Sequence, residues 1–294
     1  MIIRMENVEK RYKQQQVLKG IDITVENPQI IALVGPNGAG KTTLMDCMTN
    51  LLPINRGTIE LLGKKHTDSS IFKEVSYLQD NRILYSDLTG YDHLKFIARI
   101  QQSPVTKVFE VAERIGMTGY MKKRVRNYSL GMKQHLLLAM SIINEPKLLL
   151  LDEPLNGLDP SSAIMMRNLL LDLHQEGATI VISSHNLDEI DRLTNQIYFM
   201  KNGTLVKESL QDFMTNQYIV TVDQPTAAQQ HLLSAKRPFT MNDHQQICFT
   251  DDQLPLQTFI SCMQEHKVII EQIEQEKVGA EKRYRQLFEQ EQRK

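Results

Sequence analysis

Apolar and polar positions alternate over the first 26 residues, a period of two that predicts strands over 2–8 and 17–25 with a polar turn between them. These form a small β subdomain at the start of the chain. Residues 30–34, Ile-Ile-Ala-Leu-Val, are an unbroken apolar run ending at Gly35, the pattern of a strand buried on both faces of a parallel sheet. A helix is predicted from Lys41 to about Leu51. Between about 84 and 144 the strand signal gives way to helical spacing, over 91–100, 105–115 and 131–143, which reads as a helical insertion. Strands return at 147–151 and 178–183. Between them a helix is predicted over 161–175, with Gly177 as its stop, which completes a βαβ alternation. Residues 196–200 and 204–207 flank Asn202-Gly203, a hairpin turn signal.

A chain of 294 residues is long enough for two domains, and the pattern changes near Thr215. Residues 1–215 are therefore predicted to be one domain. Residues 216–294 form a small α+β extension with strands at 218–222 and 247–250 and helices at 258–264 and 281–291. Lys and Arg number 34 against 35 Asp and Glu, so no basic excess points to a nucleic-acid partner. Cys47, Cys248 and Cys262 lack metal-ligand or disulfide-framework spacing, which suits a reducing compartment. Glu6 comes too early for a secretory leader, and the apolar stretch 136–151 is interrupted at 144–147, short of a membrane span. The expected location is the cytoplasm.

The first chemistry lies at Gly35-Pro36-Asn37-Gly38-Ala39-Gly40-Lys41-Thr42, a phosphate-loop pattern placed between a predicted strand and a predicted helix. Glycines let successive N–H groups turn toward phosphate oxygens, and the helix N-terminus adds partial positive charge. Lys41 would neutralise the β- and γ-phosphates, Thr42 would offer its hydroxyl to Mg²⁺, and Thr43 would donate to an inner phosphate. The run 148–151, four leucines, ends in Asp152 and Glu153 at the strand edge where open α/β sheets place ligands. Asp152 suits the Mg²⁺ shell and Glu153 suits activation of an attacking water.

With these residues in place the chain resembles the ATP-hydrolysing subunit of an ATP-binding cassette (ABC) transporter over about residues 1–210. Tyr128-Ser129-Leu130-Gly131-Met132-Lys133-Gln134 is similar to the family signature, keeping Ser129 and Gly131, in a variant that resembles drug- and antimicrobial-peptide-export cassettes. Gln79, after a strand predicted at 75–78, matches the family's Gln-loop, which the resemblance implies touches Mg²⁺ or water and moves with the membrane subunit. Asn156-Gly157-Leu158-Asp159 resembles the loop that crosses between two nucleotide subunits, although Leu155 stands where Thr is common. His185 resembles the switch histidine, and Tyr12 is positioned like the aromatic that stacks on adenine. His135 departs from the Arg that many members carry.

The resemblance implies a P-loop ABC cassette of α/β class, with a mixed, mainly parallel sheet, the N-terminal β subdomain and the helical insertion. It also implies ATP and Mg²⁺ as ligands, with Glu153, His185 and Gln79 as the catalytic set. As partners it implies a second ABC ATPase subunit and a separate transmembrane permease, with the chain held peripherally at the inner face of the cell membrane and powering export. The rival is a soluble cassette acting on ribosomes or nucleic acid. Ribosome-acting members generally carry two cassettes and chromosome-acting ones a long coiled coil; neither pattern occurs here.

Overall fold

The computed structural model describes residues 1–79, 81–210 and 215–288. The chain divides into two compact units, Met1–Ser209 and Leu210–Lys294. In the first, chain order is β1 (Ile3–Tyr12), β2 (Gln15–Val25), β3 (Ile30–Val34), α1 (Lys41–Met48), β4 (Arg56–Leu61), β5 (Lys64–Lys65) and β6 (Val75–Leu78). There follow α2 (Gly90–Ile100), α3 (Thr106–Arg114), α4 (Leu130–Ile142), β7 (Leu148–Asp152), α5 (Pro160–Gln175), β8 (Thr179–Ser184), α6 (Leu187–Leu193), β9 (Gln196–Lys201) and β10 (Thr204–Ser209).

Two sheets carry this unit. An antiparallel sheet in the order β2-β1-β4-β5 realises the N-terminal β subdomain, and a six-stranded sheet in the order β10-β9-β3-β8-β7-β6 forms the centre. The five strands from β9 to β6 run parallel, and only β10 is antiparallel, joined to β9 by the Asn202-Gly203 turn. Both turn residues have positive φ, 52° and 84°, as a two-residue hairpin with the strands' own twist requires. Apolar side chains of both sheets and of α1 share one core, in which Met5, Leu18, Leu33, Leu44, Met45 and Leu150 are all at most 2% exposed. The phosphate-loop helix is thus clamped by packing on two sides.

The helical insertion is present as α2, α3 and α4. The first of these starts with a reciprocal cap in which the Thr89 hydroxyl accepts from Asp92 N–H while the Asp92 carboxylate accepts from Thr89 N–H. Helix α1 is shorter than its apolar pattern suggested: it stops at Met48, and Asn50 takes a left-handed φ of 55° that turns the chain. Strand β4, unpredicted from a segment that contains Gly57 and so weakens the strand pattern, pairs with β1 across an irregularity between Glu6 and Glu9, opposite that positive-φ glycine.

The second unit runs β11 (Thr215–Val222), α7 (Pro225–Ser234), β12 (Thr240–Met241), β13 (Ile247–Thr250), α8 (Leu256–Glu265), β14 (Ile270–Val278) and α9 (Ala280–Phe288). Its antiparallel sheet has the order β12-β13-β11-β14, so this is the β-α-β-β-α-β split arrangement with its first and third strands at the centre. Ala228 and Leu232 of α7 and Phe259 and Met263 of α8 pack with Val220 and Phe249 of the sheet. The ring of Phe249 stacks on Phe259 at 4.6 Å. Of the helix expected over 281–291, residues 281–288 are helical and 289–291 lie outside the described residues.

Candidate functional site

All five residues of β3 are buried, and the strand delivers the chain to the phosphate loop at Gly35. A Cβ on Gly35 would lie 2.7 Å from the Met200 carbonyl oxygen, so glycine is required there. Gly38 and Gly40 have φ of 79° and 110°. Gly40 caps α1 without a side chain, which leaves the first N–H groups of the helix for an anion. Lys41 is 7% exposed, and its ammonium donates to the carbonyls of Gly35 at 2.7 Å and Pro36 at 3.3 Å. Gln15, Val17, Asn37, Gly38, Gly40, Lys41, Thr42, Thr43, Asp152 and Glu153 line one cleft of about 370 Å³. Gly35, Pro36 and Ala39 belong to the same loop, closed by the Ala39 N–H donating to the Pro36 carbonyl at 3.1 Å.

Strand β7 brings the acids to this cleft. Thr42 Oγ1 donates to Asp152 Oδ2 at 2.6 Å, which puts two hard oxygen donors side by side, a set that fits magnesium. Glu153 has φ 50°, a left-handed backbone that costs roughly 1–3 kcal/mol for a residue with a Cβ. That turn aims its carboxylate at two partners: Lys41 Nζ lies 3.9 Å from Oε1, and His185 Nδ1 lies 2.8 Å from Oε2. An ionised carboxylate only accepts, so Nδ1 carries the hydrogen of this contact. The His185 side chain is 55% exposed.

The signature sits at another place. Ser129 is the N-cap of α4, its hydroxyl accepting from Met132 N–H at 3.2 Å, and it is exposed, as is Leu130. Asp159 caps α5 in the same way, accepting from Ser161 and Ser162 N–H at 3.1 Å each and from Ser162 Oγ at 2.7 Å; these bonds hold its carboxyl below the usual range. The two loops touch, since a Cβ on Gly131 would meet Ser162 Oγ at 3.5 Å and Asp159 Oδ2 at 3.9 Å. No signature residue lines the phosphate cleft of its own chain. Gln79, just past β6, lines a separate groove of about 260 Å³ with Leu51, Phe72, Ile83, Ile97 and Gln101. Tyr12 ends β1, 43% exposed, paired across the hairpin with Gln15 of the cleft wall and with Lys10 Nζ 5.2 Å from its ring centroid.

The ABC transporter family profile matches residues 18–156. The lantibiotic transport ATP-binding protein SrtF of Streptococcus pyogenes is 33% identical over 225 residues, covering 74% of this chain and 98% of that protein. The chain belongs to the ABC transporter ATP-binding family. The bacitracin transport ATP-binding protein BcrA of Enterococcus faecalis is 39% identical over 214 residues, 70% of this chain and 68% of that protein. A solved ATP-binding subunit of an ABC transporter superposes with a TM-score of 0.67 at 25% identity, over 72% of this chain and 91% of that one. This is accordingly an ATP-binding and ATP-hydrolysing ABC subunit, and its P-loop fold with a mixed sheet, N-terminal β subdomain and helical insertion is the fold of those structures.

Three features of this ABC subunit rest on contacts that the sequence alone does not show. Tyr128 opens the signature and is 6% exposed; its hydroxyl donates to the Tyr120 carbonyl at 3.0 Å and burial raises its pKa. Tyr120 stacks edge-on against it at 5.2 Å and its own hydroxyl lies 3.0 Å from His135 Nδ1. His135 Nε2 is buried with no hydrogen-bond partner among the described residues, and burial holds the imidazole below its usual pKa, opposed by Asp159. A chain of rings, with Tyr128 buried and Tyr120 and His135 half-buried, thus adjoins the signature. The third feature is Ser183, buried on β8 opposite Asp152. Among the described residues no helix is long and apolar enough to cross a membrane.

Proposed function

We propose that this subunit works in a pair with a second ABC ATPase subunit, each ATP being held between the phosphate loop of one and the signature of the other. One observation carries this reading: Ser129 and Leu130, at the start of α4, are exposed and contribute nothing to the cleft of their own chain. A helix start with free N–H groups is an anion site, and a neighbour's γ-phosphate is the anion that suits it.

Within such a site Lys41 binds the β- and γ-phosphates and leaves its loop carbonyls to do so. Thr42 and Asp152 would hold Mg²⁺, which when bound neutralises phosphate charge. Glu153 takes the proton of the attacking water, held to its task by the His185 Nδ1–H, which keeps the carboxylate oriented, while the same side chain reaches toward the γ-phosphate. Gln79 and Tyr12 complete the site by sensing the water and stacking on adenine. Asp159, capping α5 beside Gly131, faces the partner. Hydrolysis removes the phosphate both subunits grip, so the pair loosens.

The motion needs a membrane partner. The groove beside Gln79, walled by the exposed Leu51 and the half-buried Phe72 and Ile97, suits a short apolar segment of a separate permease, and the subunit would attach there to the inner face of the membrane. Similarity to SrtF and BcrA, named for lantibiotic and bacitracin transport, supports export of a peptide-like compound. Purification of the chain from its native membrane in mild detergent tests this: a polytopic membrane protein should accompany it stoichiometrically. Recovery with ribosomes or nucleic acid and without such a protein would overturn the proposal.

A further inference from the structure

Ser183 is 0% exposed at the heart of the acid cluster. It lies on β8 directly opposite Asp152 on β7. Its hydroxyl makes two contacts: with Asp152 Oδ1 at 2.5 Å and with the backbone N–H of Glu153 at 2.9 Å. The N–H can only donate, so the hydroxyl accepts from Glu153 and must spend its single proton on the Asp152 carboxylate. The direction of both bonds follows without any choice of hydrogen position.

Two consequences converge on the reacting end of the site. With Oδ1 occupied by Ser183, Asp152 presents Oδ2 to Thr42 Oγ1 at 2.6 Å. With its N–H bound, Glu153 is held in the φ 50° turn from which its carboxylate reaches Lys41 and His185. Two residues further along, the same strand leads to His185, so one hydroxyl ties the switch segment to both acids. We propose that Ser183 is a positioning residue for hydrolysis: it orients the metal-facing carboxylate and locks the backbone of the general base. The inference rests on the assignment of Asp152 and Glu153 given above.

The test uses Ser183→Ala in the full chain, with its cognate complex for turnover, beside Glu153→Gln as a reference. Loss of a hydrogen bond to a metal-ligand residue costs about 10–100-fold in metal affinity or activity. Ser183→Ala should therefore lower kcat by about tenfold or more and raise the half-saturating Mg²⁺ concentration by a similar order, while binding of ATP in the presence of EDTA stays within about twofold of the parent. If the alanine variant does not fold, Ser183→Cys, close in volume but a weak donor, should move the same readings in the same direction. Parent-like kcat and Mg²⁺ dependence would overturn the proposal. So would equal losses in metal-free ATP binding and in turnover, which would mark general damage. Should Glu153→Gln hydrolyse ATP at the parent rate, the base assignment itself falls; if it is inactive while Ser183→Ala is parent-like, Ser183 alone is at fault.

Discussion

A methyl group on Gly90 would test how the signature is held in place. Gly90 is the first residue of α2, and a Cβ there would press far inside van der Waals contact on Tyr128 Oη, with the Met121 carbonyl at 3.2 Å. Overpacking of this kind costs about 1–3 kcal/mol. Gly90 is the first helical residue, outside the helix interior where Gly→Ala gains most, so Gly90→Ala should destabilise by about 1–3 kcal/mol. Tyr128→Phe removes the clashing atom but also the hydrogen bond to the Tyr120 carbonyl, a loss of about 0.5–1.5 kcal/mol. In the double variant the methyl group takes the space left by the hydroxyl, so its stability should match Tyr128→Phe alone to within about 0.5 kcal/mol. The two changes should then couple by about 1–3 kcal/mol in urea denaturation of the nucleotide-binding unit followed by circular dichroism. Strict additivity would show that the Tyr128 hydroxyl does not occupy the place described.

His135 is held below its usual pKa by burial, so the unfolded chain takes up the proton first on acidification. Its share of stability is complete above about pH 6.5 and falls as the pH drops below that, by at most about 1.4 kcal/mol per unit until the folded state also protonates. His135→Gln should flatten that part of the urea-midpoint profile between pH 7.5 and 5.5; identical slopes in variant and parent would refute it. Asp159→Ala should lose a helix cap, about 0.5–2 kcal/mol, whereas Asp159→Asn should keep most of the stability and lose turnover in the assembled complex. Equal thermal stability of the two would contradict the capping role. Glu153→Gln should bind ATP and turn it over about 10²–10⁴-fold more slowly than the parent; an unchanged single-turnover rate would remove Glu153 from the role of base.

The phosphate loop, the leucine strand with its two acids and the βαβ alternation were all legible in the sequence, because each is a local string whose meaning is set by its immediate neighbours. Strand β8 was equally plain from its apolar run, yet Ser183 within it passed as one more strand residue. Its importance depends on register with β7, 31 residues away, which no local pattern encodes. The same is true of Tyr128 against Gly90. Strand β14, Ile-Glu-Gln-Ile-Glu-Gln-Glu-Lys-Val, is rich in residues poor at forming strands and is fixed by pairing along β11. The 4-1-3-2 strand order of the second unit likewise arises from distant pairings. Gln79 was recognisable by its place after β6; that it lines the groove with Phe72 and Ile97 emerged only from the fold.

The claim on which everything else depends is that Ser129 serves a nucleotide bound to a different subunit. Replacing it with arginine blocks the exposed start of α4 without touching the cleft that holds ATP in the same chain. Equilibrium binding of ATP to the isolated Ser129→Arg chain should stay within about twofold of the parent, while hydrolysis by the assembled complex falls by at least about a hundredfold. Weakened binding in the isolated chain, or undiminished hydrolysis in the complex, would contradict the shared site.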